Sequence, residues 1–443
     1  MKKFFASLLT ICLLLSALLV GCGDTSNNQN PEKFGLPCIY IETMDGKLPK
    51  NKVDYVNCSF AITNTADEDD SFSVEMKEAY GDEDSVGIRL RGNTTMRYKK
   101  KPYRIKFDKK KSLFGSKKNK NWVLLADYLD PSDMRNYTAH TLARKYEGLD
   151  FVVSTHHVVL SLNGEFKGVY LLTDQVDEKE GRTNVECDFD AEKDVDFPFL
   201  IEMSQDAKKG NVEGVDYFSV DGYQPVEIKY PEADERDSNG VVYNYIVGYM
   251  KAVCALLDNG NKPIEVNFRG KSETVTLADL VDEDSLIDYL LVNEIIGNAD
   301  SVWKSINMHK SQNGKLVFGP VWDFDCAAIP KWKGRPSQAK NDLNIANTAF
   351  TLHGVIAAKW LAIDGNKQKL YDRFMETRHY ILEMVDHLAE YKSYISAAAK
   401  ADAKLWYGRK GEARFEEQYT FLQNFLMIRY ASLATILNPE NKS

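Results

Sequence analysis

The spacing of apolar residues along this chain changes near residue 203, and that change restricts the fold more than any composition value does. Before it, apolar and polar residues alternate. Segments 86–91 (VGIRLR) and 102–107 (PYRIKF) repeat every two residues, as strands with one buried face must. Short strands are also predicted over 39–42, 60–63, 72–76, 155–162 and 168–173, with Asn163-Gly164 forming a hairpin turn between the last two. One helix, capped by Ser132 or Asp133 and covering 135–145, stops at Gly148. After residue 203 the period becomes helical over 241–257, 277–296, 341–363, 369–391 and 414–437. Two apolar segments, 302–309 and 316–321, interrupt it as a hairpin about Asn313-Gly314. The expected class is α+β, a mixed sheet followed by helices.

The N-terminus bears on location. Lys2 and Lys3 precede an apolar run over 4–20, and Leu19-Val20-Gly21-Cys22 resembles a bacterial lipobox. The expectation is a signal peptide over 1–21, lipidation of Cys22 and a flexible tether over 22–35, holding the protein on the outer face of a membrane. An ordinary secretory signal or a membrane helix are the alternatives. From Cys22 onward, 54 Lys+Arg stand against 65 Asp+Glu, a net charge of −11 that argues against nucleic acid as a partner. Cys38, Cys58, Cys187, Cys254 and Cys326 have no metal-like spacing; Cys38–Cys58 is a candidate disulfide, and the odd number leaves at least one free thiol.

Familiar catalytic signatures are missing. HExxH, GxSxG and GxGxxG do not occur, and Glu265 stands where the first glycine of a Walker loop ending in Gly270-Lys271-Ser272 must be. What stands out is GPVWDFDCAA (319–328), where Asp323 and Asp325 flank an aromatic at the end of a strand. Asp300 ends the helix before the hairpin, and antiparallel pairing brings it near Asp323. Clustered carboxylates repel unless a cation lies between them, and Mg²⁺ accepts such oxygens together with phosphates. An acidic turn closing a hairpin is the plainer alternative. Opposite in charge, Arg89, Arg91, 99–101, Arg104 and Lys106 flank two strands; Arg89 and Arg91 share one face, as do Arg104 and Lys106. Such a face suits nucleotide phosphates, solvent or anionic lipid. Arg135, at a helix start, suits phosphate or a surface cap. Glu202 emerges from a strand, to line a cleft or face water. Trp122, Trp303 and Trp322 are expected in the core.

Four stretches together resemble the spore-coat protein H (CotH) kinase family: IRLRGNTT (88–95), KKPYRIKF (100–107), LNGEFKGVYLL (162–172) and GPVWDFD (319–325). Asn298-Ala-Asp300 and the 130–135 segment fall in the family's order. The resemblance covers about 36–438. It implies a divergent protein-kinase-like two-lobe fold, a mixed or antiparallel sheet lobe over 36–203 and a mainly helical lobe over 204–438. It further implies Asp300 as catalytic aspartate and Asp323 as metal-binding aspartate, with Asp325 and Asn307 as further ligands. ATP and Mg²⁺ would be the cofactors, with phosphates met by Arg91, Arg104, Lys106 and Arg135. The implied function is an extracytoplasmic, membrane-anchored kinase acting on Ser or Thr of a secreted, coat or envelope protein. Asp174 stands where the family usually has glutamate, which leaves a surface-binding or structural lipoprotein as the alternative. A carbohydrate-active enzyme using an acid pair is a third reading.

Overall fold

A computed structural model describes residues 30–236, 239–328 and 342–441. The signal segment and Cys22 lie outside the described residues, as does the first residue of the helix expected over 341–363. In chain order the elements are β1 (Cys38–Thr43), β2 (Val56–Thr63), β3 (Phe72–Val74), β4 (Val86–Leu90), β5 (Tyr103–Lys111), β6 (Asn119–Leu125), α1 (Arg135–Ala143), β7 (Thr155–Leu162) and β8 (Glu165–Asp174). Then come β9 (Phe199–Met203), β10 (Tyr217–Phe218), β11 (Val226–Tyr230), α2 (Val241–Asp258), β12 (Ile264–Val266), β13 (Glu273–Val275), α3 (Leu277–Leu280) and α4 (Glu283–Ile296). The chain finishes with β14 (Ile306–Lys310), β15 (Val317–Phe318), α5 (Val355–Leu361), α6 (Asn366–Thr377), α7 (His379–Tyr407) and α8 (Gly411–Ile436). The class is α+β, as the change of period implies.

The first sheet is mixed, as expected, with β1 and β7 parallel and its other pairs antiparallel, and it is also closed. Its eight strands run β1-β7-β8-β6-β5-β4-β2-β3, and β1 also pairs with β2, so all but β3 close into a barrel. Closure removes the exposed edges that an open sheet leaves unpaired. Alternation selects the inside: Ile39, Ile41, Phe60, Ile62, Val86, Ile88, Ile105, Phe107, Leu124, Leu160 and Leu172 form one core cluster. The outer face of β7 and β8 joins the second core through Val159, Val169 and Leu171, against the helices. Asn163 and Gly164 both adopt positive φ, as the hairpin turn requires.

The second sheet is antiparallel, β10-β11-β9-β14-β15. Strand β9, expected at the end of the strand-rich part, therefore pairs with the later hairpin, through Met203↔Ile306 and Glu202↔Asn307. The candidate Cys38–Cys58 disulfide does not form. Cys38 pairs with Thr63 and Cys58 with Thr43 in the β1–β2 ladder, five residues apart, or about 17 Å, and both are buried free thiols.

Three helix boundaries also differ, each for a local reason. The 277–296 helix breaks at Val281-Asp282, where the backbone turns aside to exchange hydrogen bonds with Leu316, and Asp282 caps α4 through Ser285 N. The 369–391 segment is two helices, α6 and α7, and α7 continues to Tyr407. Over 343–353 the chain forms 3₁₀ turns instead of helix. Buried Glu294 of α4 takes the backbone N–H groups of Phe350, Thr351 and Leu352, which directs them away from helical partners.

Glu294 also accepts a 2.6 Å hydrogen bond from Arg429 of α8, and both side chains are fully buried. The guanidinium reaches Ala346 O, Thr348 O and Glu294 O as well. Removing one member strands a buried charge, a change that typically costs about 3–5 kcal/mol. Chemical denaturation of Glu294→Ala is expected to show a loss of at least that size, and Glu294→Leu/Arg429→Met to recover only part of it, because the N–H groups of 350–352 and the carbonyls of Ala346 and Thr348 lose their partners.

Candidate active site

A cleft of about 390 Å³ opens at one end of the barrel. Its walls are the β4–β5 connection, the turn after β6, the end of β9 and the two segments around Asp300 and Asp323. Asp300 lies in a 3₁₀ turn that Asn298 caps through the Asp300 N–H. Asp323 follows β15 in a left-handed backbone conformation, φ 67°, which aspartate tolerates better than bulky residues. The chain there sends Asp323 and Asp325 to the cleft while Phe324 between them is fully buried.

Lys304 joins the two aspartates predicted to meet. Its Nζ lies 3.1 Å from Asp300 Oδ2 and 3.1 Å from Asp323 Oδ2. Burial opposes the ammonium, but Asp323 and Asp300 more than offset it and raise its pKa. Asp325 sits deeper, 8% exposed. Burial first, then repulsion from Asp323, Asp127 and Asp300, raises its pKa well above the carboxylate range. Asp127 is pushed up to about 7 by burial and by Asp130. Its Oδ1 accepts from Asn136 at 2.6 Å, while its buried Oδ2 has no partner.

The cationic wall differs from the sequence expectation. Arg91 does line the cleft, 5.3 Å over the Trp322 ring. Burial lowers its pKa to about 10 against the pull of Asp323. Arg104 and Lys106 do not line the cleft; alternation turns them to the outer barrel face beside Arg89. Arg135 is buried away from it, paired with Asp130 and donating to Ala327 O at 2.7 Å and Gln418 Oε1 at 2.7 Å. Asn307 is also off the cleft wall, its amide donating to Pro320 O at 3.1 Å. Asp174 pairs with Arg182 at 2.7 Å, away from the lining. Glu202 is on the wall and 3.2 Å from Lys229. Of the tryptophans, Trp122 is core, Trp322 lines the cleft and Trp303 is 41% exposed.

Sequence reasoning placed Lys100 in the basic stripe but not its buried partners, and it passed over Lys304 and Asp127. Lys100 faces the cleft from below, 2.8 Å from Asp402 and 3.6 Å from Asp133, with Tyr170 under its ammonium. Asp402 reaches it from α7 only because Gly168 has no side chain; a Cβ there would overlap Asp402 Oδ1. The signal for Lys304 is its i,i+4 offset from Asp300. Asp127 carries no comparable signal.

Among the described residues no three His, Cys, Asp or Glu side chains make a ready metal cluster. The donor set still fits a hard cation: two adjacent carboxylates reach one cleft, Asp325 is destabilised as an anion, and a buried Asp127 oxygen is unpartnered. Mg²⁺ commonly takes one or two carboxylates and completes its shell with phosphate and water.

Compared with known protein families, residues 88–433 match the family described as CotH kinase protein. No curated protein matches the chain.

His140 of α1 backs the cleft between Trp322 and Phe324, fully buried, with neither ring nitrogen hydrogen-bonded. Burial lowers its pKa to about 3 from an unfolded value near 6.5. Its contribution to stability is thus complete above pH 6.5 and declines as pH falls toward 3, by about 1.4 kcal/mol per unit. Denaturation midpoints measured between pH 7 and 4 are expected to fall less steeply for His140→Phe than for the parent chain.

Proposed function

The chain belongs to the CotH kinase family, and from that premise we propose that it transfers the γ-phosphoryl group of ATP to a Ser or Thr hydroxyl of another protein. The observation that carries the reading is the convergence of Asp300 and Asp323 on one cation at the cleft floor. Asp300 would accept the proton of the acceptor hydroxyl as its oxygen bonds to phosphorus and ADP departs. Arg91 and Lys100 present positive charge to the phosphate oxygens. A reaction of this kind needs positioning and electrostatics more than covalent chemistry. Asp323 and Asp325 would hold Mg²⁺, which supplies charge neutralisation at the phosphates.

The barrel and the helical half on either side of the cleft would then correspond to the lobes of a divergent kinase-like fold. The lipobox-like Leu19-Val20-Gly21-Cys22 supports an anchor at Cys22 on the outer face of a bacterial membrane, with a secreted, coat or envelope protein as substrate. The acidic net charge supports a partner other than nucleic acid.

Lys304 favours one competing reading. A lysine already bridging Asp300 and Asp323 can replace a metal permanently, leaving a binding lipoprotein without catalysis. With labelled ATP and Mg²⁺, the full chain is expected to label a protein acceptor or itself, and Asp323→Asn to lower the rate by about 100-fold or more. Equal labelling by both rejects the catalytic reading, and absence of Mg²⁺-dependent ATP binding supports the competing one.

A further inference from the structure

The outer barrel face carries three cations, Arg89, Arg104 and Lys106, that do not line the cleft. Arg89 of β4 stands directly opposite Arg104 of β5, and Lys106 stands opposite Gly87. Like charges paired across a ladder repel, yet among the described residues none of the three has an acid in ion-pair contact. Asp177 acts on Arg104 and Glu232 on Lys106 only from a distance. The same face holds three buried polar atoms without a hydrogen-bond partner: Arg89 Nε, Arg104 Nε and the Oδ1 of Asn121, which lies opposite Lys106. Arg89 does donate through Nη1 to the Lys52 carbonyl, but the remaining orphans beside unpaired charge leave room for further polar partners on this face. The cations are held in place. Tyr55, stacked on Tyr80 at 4.8 Å, lies under Arg89 at 4.8 Å and Lys106 at 6.0 Å. Gly87 leaves the room for Tyr80, because a Cβ there would run into its ring.

We propose that this row docks the phosphoacceptor protein, and that it takes an extended segment with acidic residues at alternate positions. Lys106, the Arg89–Arg104 pair and Arg91 occupy successive levels of the β4–β5 ladder. Each step is two residues, about 7 Å, and an extended peptide repeats its same-face side chains at that spacing. Guanidinium forks bind carboxylates through paired hydrogen bonds. Arg91 belongs both to the row and to the cleft wall, so a segment lying along the row delivers its next residues toward Asp300 and Asp323. Naming the segment's owner as the phosphoacceptor rests on the phosphotransfer reading; the binding of an acidic segment does not.

The test is fluorescence anisotropy with the full chain and a labelled peptide of alternating Glu and Gly, beside its Gln counterpart. The Glu peptide is expected to bind, more weakly as salt rises, and the Gln peptide not to bind. Arg104→Ala/Lys106→Ala is expected to weaken binding by about tenfold or more, and the single charge reversal Lys106→Glu to weaken it as well. Circular dichroism melting establishes that both variants are folded. Mg·ATP binding, measured on the same preparations, tests the phosphotransfer reading separately; its absence with peptide binding intact removes the kinase and keeps the docking face. Equal peptide binding by parent and folded variants overturns the proposal. So does capture of anionic vesicles alone, without the peptide.

Discussion

Two neighbouring side chains of α1 hold the 322–328 segment against the end of the barrel, and the cleft exists because they do. Asn136 donates to Asp127 on the barrel side and accepts the Phe324 N–H on the other, at 2.9 Å. Arg135 spans Asp130, Ala327 O and Gln418 of α8. Because Phe324 is pinned and buried, Asp323 and Asp325 have nowhere to go but the opening. The left-handed backbone at Asp323 is sustained by the same anchoring. Arg135 therefore shapes the site without facing it.

Within the cleft, acids outnumber bases. Asp127, Glu202, Asp206, Asp300, Asp323 and Asp325 line it, against Arg91, Lys100 and Lys304. Lys100 is already committed to Asp402 and Asp133, and Lys304 to Asp300 and Asp323. Burial, with repulsion from the neighbouring acids added to it, then raises the pKa of the carboxylates without a cation of their own, Asp325 and Asp127. A divalent ion relieves that excess more effectively than a proton does, since it carries two charges to several oxygens at once. The cationic row on the outer barrel face has the opposite imbalance, and Arg91 joins the two.

Much of this arrangement was legible in the chain itself. Alternation over 86–91 and 102–107 fixed which side chains enter the barrel, and Asn163-Gly164 and Asn313-Gly314 marked their turns correctly. The meeting of Asp300 and Asp323 followed from antiparallel pairing alone. Closure of the barrel did not, because the β1–β2 contact depends on cumulative twist and not on any local pattern. Alternation also showed that Arg104 and Lys106 share a face, but not whether that face looks into the cleft. The 343–353 turns were hidden for a related reason: their backbone donors are taken by Glu294, more than fifty residues earlier. Lys100 needed both Asp402 and the bare Gly168, contacts that no neighbouring residue announces.

If Asp323 and Asp325 take a divalent cation, as proposed, Lys304 has to give way to it. Anomalous diffraction from crystals of the full chain grown with Mn²⁺ and a non-hydrolysable ATP analogue tests it most directly. A manganese peak at direct-ligand distance, about 2.0–2.6 Å for hard divalent cations, from oxygens of Asp323 and Asp325 is expected, with Lys304 displaced from Asp323. An analogue bound in the cleft with no metal between it and these aspartates, and Lys304 still bridging Asp300 and Asp323, contradicts it.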